Sequence, residues 1–104
     1  MKDWEKSELD AVKIYGRKVP ASGSGPGEKL DIIGEGKFSG RRGENKYTDK
    51  KSYVLTLENL EKMIRQGNLM LCTPFFRIDF GRRKKFILIE EDEFIYLCSL
   101  EHIK

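Results

Sequence analysis

Residues 29–48 read KLDIIGEGKFSGRRGENKYT, and the path of the chain through this stretch decides the fold. Leu30, Ile32 and Ile33 make a short β-prone run, and Gly34-Glu35-Gly36-Lys37 carries tight-turn chemistry. Phe38 to Thr48 is expected to return antiparallel. Such a hairpin sets Asp31 on one strand beside Glu44-Asn45-Lys46 on the next. Side chains two apart on a strand share a face, so Lys46 projects with Glu44. Two carboxylates and one ammonium then address the same space.

That grouping suits phosphodiester cleavage, which needs a cation on the scissile phosphate and an activated water. Hard cations such as Mg2+ prefer carboxylate and carbonyl oxygens. Asp31 and Glu44 are hard ligands, the Asn45 carbonyl is a further oxygen, and Lys46 can orient water or stabilise charge on phosphorus. Glu35-Gly36-Lys37 has the same E-x-K spelling but falls in the turn, too close to Asp31 to face it across paired strands. The competing reading is ordinary surface charge, in a chain that is 36% charged.

Working outward, residues 3–15 place Trp4, Leu9, Val12 and Tyr15 at helical spacing, with Gly16 as a left-handed cap. Arg17 to Ala21 is an extended stub. The stretch SGSGPGE, residues 22–28, is a loop whose glycines could approach phosphate, although it lacks the GK[ST] end of a nucleotide-binding loop. On the other side, Thr56 caps a helix with Leu57, Leu60, Met63 and Ile64 on one face, with Gly67 closing it or, as the alternative, the face continuing through Leu71. Phe75–Phe80 and Phe86–Ile89 flank GRRKK as a second hairpin, and residues 91–101 form a final helix or irregular cap. Phe75, Phe76, Phe80, Phe86 and Phe94 are assigned to the core. The order predicts an α/β fold, a small mixed β-sheet flanked by helices, in one domain of 104 residues.

The net charge is only +3, but the positive residues are clustered. Arg17-Lys18, Arg41-Arg42, Lys50-Lys51 and Arg82-Arg83-Lys84-Lys85 suit sequence-independent contacts with a DNA backbone. Cys72 and Cys98 have no CxxC spacing and no nearby histidine, which excludes a zinc cluster or redox pair and leaves reduced core thiols. His102, the sole histidine, lies near the end of the chain, so histidine-based nuclease chemistry is excluded. No apolar run approaches the roughly 18 residues of a membrane span, and a cytoplasmic protein is expected.

From about residue 5 to residue 97 the order and spacing resemble the archaeal-type Holliday junction resolvases of the PD-(D/E)xK nuclease superfamily, viral or phage-encoded members included. KSEL, with Glu8, resembles the family's first helix, ASGSG its small-residue loop with a serine, LDII its aspartate strand and ENK its ExK strand. The resemblance implies a restriction-endonuclease-like core and a homodimer that cuts four-way DNA junctions on two strands. Mg2+ is the implied cofactor, with Mn2+ able to substitute. It further implies that Asp31 and Glu44 hold the metal, that Glu8 adds a carboxylate, with Glu5 one turn earlier as the alternative, and that Lys46 assists at the attacking water. Ser22 or Ser24 would touch the phosphate or the metal site. The chain departs from the family where a proline often precedes the aspartate, here Leu30, and where apolar residues precede the ExK glutamate, here SGRRG. Two wider readings stand beside it: another nicking or repair endonuclease of the superfamily, or a catalytically silent DNA-binding module of the same fold.

Overall fold

The computed structural model describes residues 1–19 and 30–101. In chain order the elements are α1 (Asp3–Tyr15), β1 (Gly16–Lys18), β2 (Ile32–Gly34), a single 3-10 turn (Gly36–Phe38), β3 (Arg41–Tyr47), α2 (Leu57–Leu69), β4 (Thr73–Asp79), β5 (Lys85–Leu88) and α3 (Glu91–Glu101). The strands form one five-stranded sheet whose spatial order is the chain order. Neighbours run antiparallel except β3 and β4, which are parallel. A parallel pair needs a long crossover connection, and α2 supplies it. The expected α/β arrangement, a mixed sheet flanked by helices, is what forms. Among the described residues no helix is long and apolar enough to cross a membrane.

The first hairpin sets Ile32 opposite Gly43 and Ile33 opposite Arg42. The pleat then assigns Ile33, Arg42, Glu44 and Lys46 to one face and Ile32, Gly43 and Asn45 to the other, with Asp31 just before β2. α2 covers the first face, where Met63 meets the buried Leu30 and Phe76, with Leu55, Leu60 and Leu88 packed around them. α1 covers the second through two small buried residues, Ser7 and Ala11. Its larger apolar residues, Trp4, Leu9 and Ile14, are exposed.

The polar strand β3 is buried at Gly43 and Glu44, and partly buried elsewhere, by what its neighbours bring to it. Gly43 leaves room for Phe75 of β4, whose ring would stand 2.1 Å from any Cβ added there. That ring also packs against Tyr15, with centroids 5.0 Å apart. Arg41 Nε donates to Glu93 Oε2 at 2.8 Å and Arg42 Nε donates to the Leu30 carbonyl at 3.0 Å. On the α1 face, Ser7 Oγ donates to Asp79 Oδ2 at 2.6 Å and Asn45 Nδ2 donates to Ser7 Oγ at 2.9 Å. Arg77 donates to Asn45 Oδ1 at 2.8 Å and to the Ser7 carbonyl at 3.1 Å, while the Gly81 N–H reaches Asp79 Oδ1 at 2.7 Å. Buried polar groups are tolerated when hydrogen-bonded, and Ser7, Arg77 and Asp79 all are.

Several expectations need correction. Gly16 is extended, at φ 164°, and opens β1, so no left-handed cap ends α1. α2 runs past Gly67, where any added Cβ would stand 2.9 Å from the Pro74 ring, and the chain turns after the helix at Leu71, with φ 54°. The N-terminal cap is as expected, with the Asn59 N–H donating to Thr56 Oγ1 at 3.1 Å. Phe75 and Phe76 are core residues, but Phe86 and Phe94 are more than half exposed. Cys72 is partly buried and Cys98 is exposed, so Cys98 is not a core thiol.

Candidate active site

Lys46 Nζ lies 2.8 Å from Glu44 Oε1, the same-face pair that a two-residue strand period requires. Glu44 is buried, at 9% exposure. Asp31 follows directly on Leu30, which adopts a left-handed φ of 55° with its side chain fully buried. A non-glycine residue there stores about 1–2 kcal/mol, which core packing must offset. Proline, fixed near −65°, could not take this conformation. After the turn of the chain at Leu30, the Asp31 carbonyl accepts from the Val19 N–H at 2.8 Å, tying the aspartate to the segment that follows β1.

Three carboxylates, Glu8, Asp31 and Glu44, are flanked by two lysines, Lys18 and Lys46. Burial raises the Asp31 pKa above its ordinary 3.8, and the Glu8 and Glu44 carboxylates push it further, against a hydrogen bond from its own backbone N–H and the charge of Lys18. Glu8 in turn holds Lys18, Nζ to Oε1 at 2.8 Å, and this hydrogen bond raises the lysine's pKa. For Lys46, burial works downward but is outweighed by the Glu44 hydrogen bond and the charges of Glu44, Tyr53 and Asp31, so its pKa also rises. Lys46 therefore stays an ammonium through neutral pH. Glu8, Lys18, Asp31, Glu44 and Lys46 together carry one surplus negative charge when ionised.

Among the described residues, no three carboxylate, imidazole or thiol groups are gathered closely enough to hold a metal ion. The reason is visible in the ion pairs: Glu8 and Glu44 are each drawn to a lysine. The donor chemistry, three carboxylates against two lysines with one surplus negative charge, nevertheless fits a hard divalent cation. Of the two candidate helix glutamates, Glu8 bears on Asp31, whereas Glu5 accepts from the Lys2 N–H at 3.3 Å and caps α1. Glu35, of the rival triplet, pairs with Arg17 at 3.6 Å on the surface. Ser22 and Ser24 lie outside the described residues.

Beside Glu44 and Lys46 opens a cavity of about 180 Å³, walled by Tyr53, Asn59, Lys62 and Gln66. Sequence reading missed these four. The signal was present, since Asn59, Lys62 and Gln66 recur at i, i+3 and i+7 and so line one face of α2. A larger cavity, about 680 Å³, lies on the α1 side, where Asp3, Asp10 and Asp49 balance Lys6, Arg82 and Arg83. That balance leaves it no excess charge to draw a phosphate or a cation.

The cationic runs divide into two kinds. Arg17, Lys18, Arg41 and Arg42 are engaged with Glu35, Glu8, Glu93 and the Leu30 carbonyl. Lys50, Lys51, Arg82 and Lys84 are exposed. Arg83 donates to the carbonyls of Asp49 and Lys50, at 3.3 Å each, which draws the runs at 50–51 and 82–85 together. Lys85 donates to the Gly81 carbonyl at 3.0 Å. Comparison with protein-family models, with curated proteins and with solved structures gave no match.

Proposed function

We propose that the chain is a metal-dependent, structure-selective endonuclease with a restriction-endonuclease-like core, cutting four-way DNA junctions as a homodimer. One observation carries the reading: Glu44 and Lys46 share a face of β3 with Lys46 against Glu44, and Asp31, the residue before β2, feels the charges of Glu8 and Glu44. The order of elements supports it, since a glutamate-bearing helix, an aspartate strand, an ExK strand and a crossover helix follow one another as in the family the sequence resembles.

Asp31 and Glu44 would hold Mg2+, or Mn2+ in its place, with Glu8 as a further oxygen donor. Bound there, such an ion neutralises phosphate charge and makes water a better nucleophile. Glu44 must then exchange its lysine for the ion. Lys46, freed but still protonated, meets the negative charge that develops on the attacked phosphate and orients the attacking water; it does not take the proton. Tyr53, Asn59 and Lys62 offer donors to the phosphate or sugar beside the scissile bond. Lys50, Lys51, Arg82 and Arg83 bind the backbone without reading bases, so junction selection comes from shape. Two symmetric nicks across a two-fold junction need two sites related by a two-fold axis, hence the homodimer.

A second reading, a silent DNA-binding module, is favoured by the lysines that hold Glu8 and Glu44. Labelled four-way junction and linear duplex, incubated with Mg2+ and either wild type, Asp31→Asn or Glu44→Gln, separate the readings. Junction cutting that falls about 100-fold or more in each variant is expected. Equal cutting of linear duplex indicates a general nicking enzyme. Binding without metal-dependent cleavage by the wild type rejects the nuclease.

A further inference from the structure

The two edges of the sheet are unlike. β1 is three residues long and carries Arg17 and Lys18, charges of the kind that blunt an edge against pairing. β5 reads KFIL, with Phe86 54% and Ile87 43% exposed. On α3, just beyond, Phe94, Ile95, Tyr96, Leu97 and Leu100 are exposed around the whole helix, although a helix apolar on all sides ordinarily belongs in an interior.

We propose that β5 pairs antiparallel with β5 of a second copy about a two-fold axis at Ile87, joining the two sheets into one. The backbone pattern supports this register. The Phe80 N–H donates to the Lys84 carbonyl at 2.9 Å, and Ile78 stands opposite Phe86 with Arg77 opposite Ile87. Hydrogen-bonded and non-hydrogen-bonded pairs alternate along an antiparallel ladder. Phe86 therefore spends its N–H and C=O on β4, and those of Lys85 and Ile87 point to the open edge. A two-fold axis through an antiparallel ladder sets one residue opposite its own copy. With Ile87 in that position the outward groups are satisfied.

The same register is complementary in its side chains. Phe86 falls opposite Leu88 of the second copy and Lys84 opposite Glu90 of the second copy, each as a close pair with Cα atoms about 4.5 Å apart. The basic run before β5 meets the acidic run after it, twice over by symmetry, and only an antiparallel arrangement does this. Lys84 and Glu90 are both exposed in one copy. The seam uses Lys84 and leaves Arg82, Lys50 and Lys51 outside it. None of this depends on the nuclease reading, and the test uses no cleavage.

Sedimentation velocity of the full chain at micromolar concentration is expected to give twice the 12.1 kDa of one chain. Ile87→Lys, which sets like charges opposite one another, is expected to give a monomer with an unchanged far-ultraviolet circular dichroism spectrum. Should that variant fail to fold, the charge swap decides: Lys84→Glu and Glu90→Lys each weaken the dimer, and the double variant restores it. A monomeric wild type, or a dimer that neither the lysine at 87 nor the single swaps weaken, overturns the proposal. So does a double variant that is no better than the single ones.

Discussion

The two faces of β3 handle buried charge in opposite ways. On the α1 side, Asn45 sits in a closed network in which Ser7, Arg77 and Asp79 are nearly excluded from water and mutually hydrogen-bonded, with Asp79 also receiving the Gly81 N–H. On the α2 side, Glu44 and Lys46 are paired, but Asp31 stands between two other carboxylates and its proton is held more tightly for it. The first face has the composition of a structural pin, its charges matched one against another. The second keeps an imbalance that costs stability when Asp31 is ionised. One strand thus separates a group of charges that holds the fold from a group with a surplus carboxylate, which is where the proposed function puts a cation.

The contrast can be broken first at the pin. Asp79→Ala removes the carboxylate that lies 3.5 Å from the buried Arg77 guanidinium and leaves Ser7 and Gly81 without their acceptor. Removing one partner of a buried ion pair costs about 3–5 kcal/mol, which urea unfolding followed by circular dichroism would register. A loss under about 1 kcal/mol, the range of an exposed ion pair, would show that water reaches this network.

A smaller effect of opposite sign is expected across the strand. Because the folded protein holds the Asp31 proton more tightly than the unfolded chain does, ionising Asp31 costs stability. That cost is absent below the ordinary 3.8, where both states are protonated, and is complete once pH exceeds the raised value. Asp31→Asn is therefore expected to melt higher than wild type at pH 7 without metal, with the difference vanishing as pH falls below that ordinary value. An asparagine variant that melts lower at pH 7 would mean that Asp31 is a structural residue like Asp79.

Much of this arrangement was legible in the sequence. The hairpin that joins Asp31 to Glu44 and Lys46, the Thr56 cap and the second hairpin all rest on local signals, namely turn residues, a capping side chain and the strand period. What could not be read depends on contacts distant in sequence. The glycine and arginines of β3 argue against a buried strand, and only Phe75, Glu93 and the Leu30 carbonyl supply what β3 lacks. Arg77 and Asp79 interrupt an apolar strand, and nothing local shows that Ser7, some seventy residues earlier, receives them. Phe86 and Phe94 were assigned to the core on hydrophobicity alone, which cannot distinguish an interior from an unpartnered edge. At the candidate site the residue types and their common face were legible. The holding of Glu8 by Lys18 was not, because a cross-element ion pair leaves no periodic trace.

Thermal melting at pH 7 across a Mg2+ titration probes the imbalance on the α2 face most directly. Wild type is expected to gain melting temperature as Mg2+ binds the folded state, while Asp31→Asn and Glu44→Gln, folded but short of a carboxylate, gain none. Equal gains in all three proteins, or no gain in the wild type, would contradict a cation site built on Asp31 and Glu44.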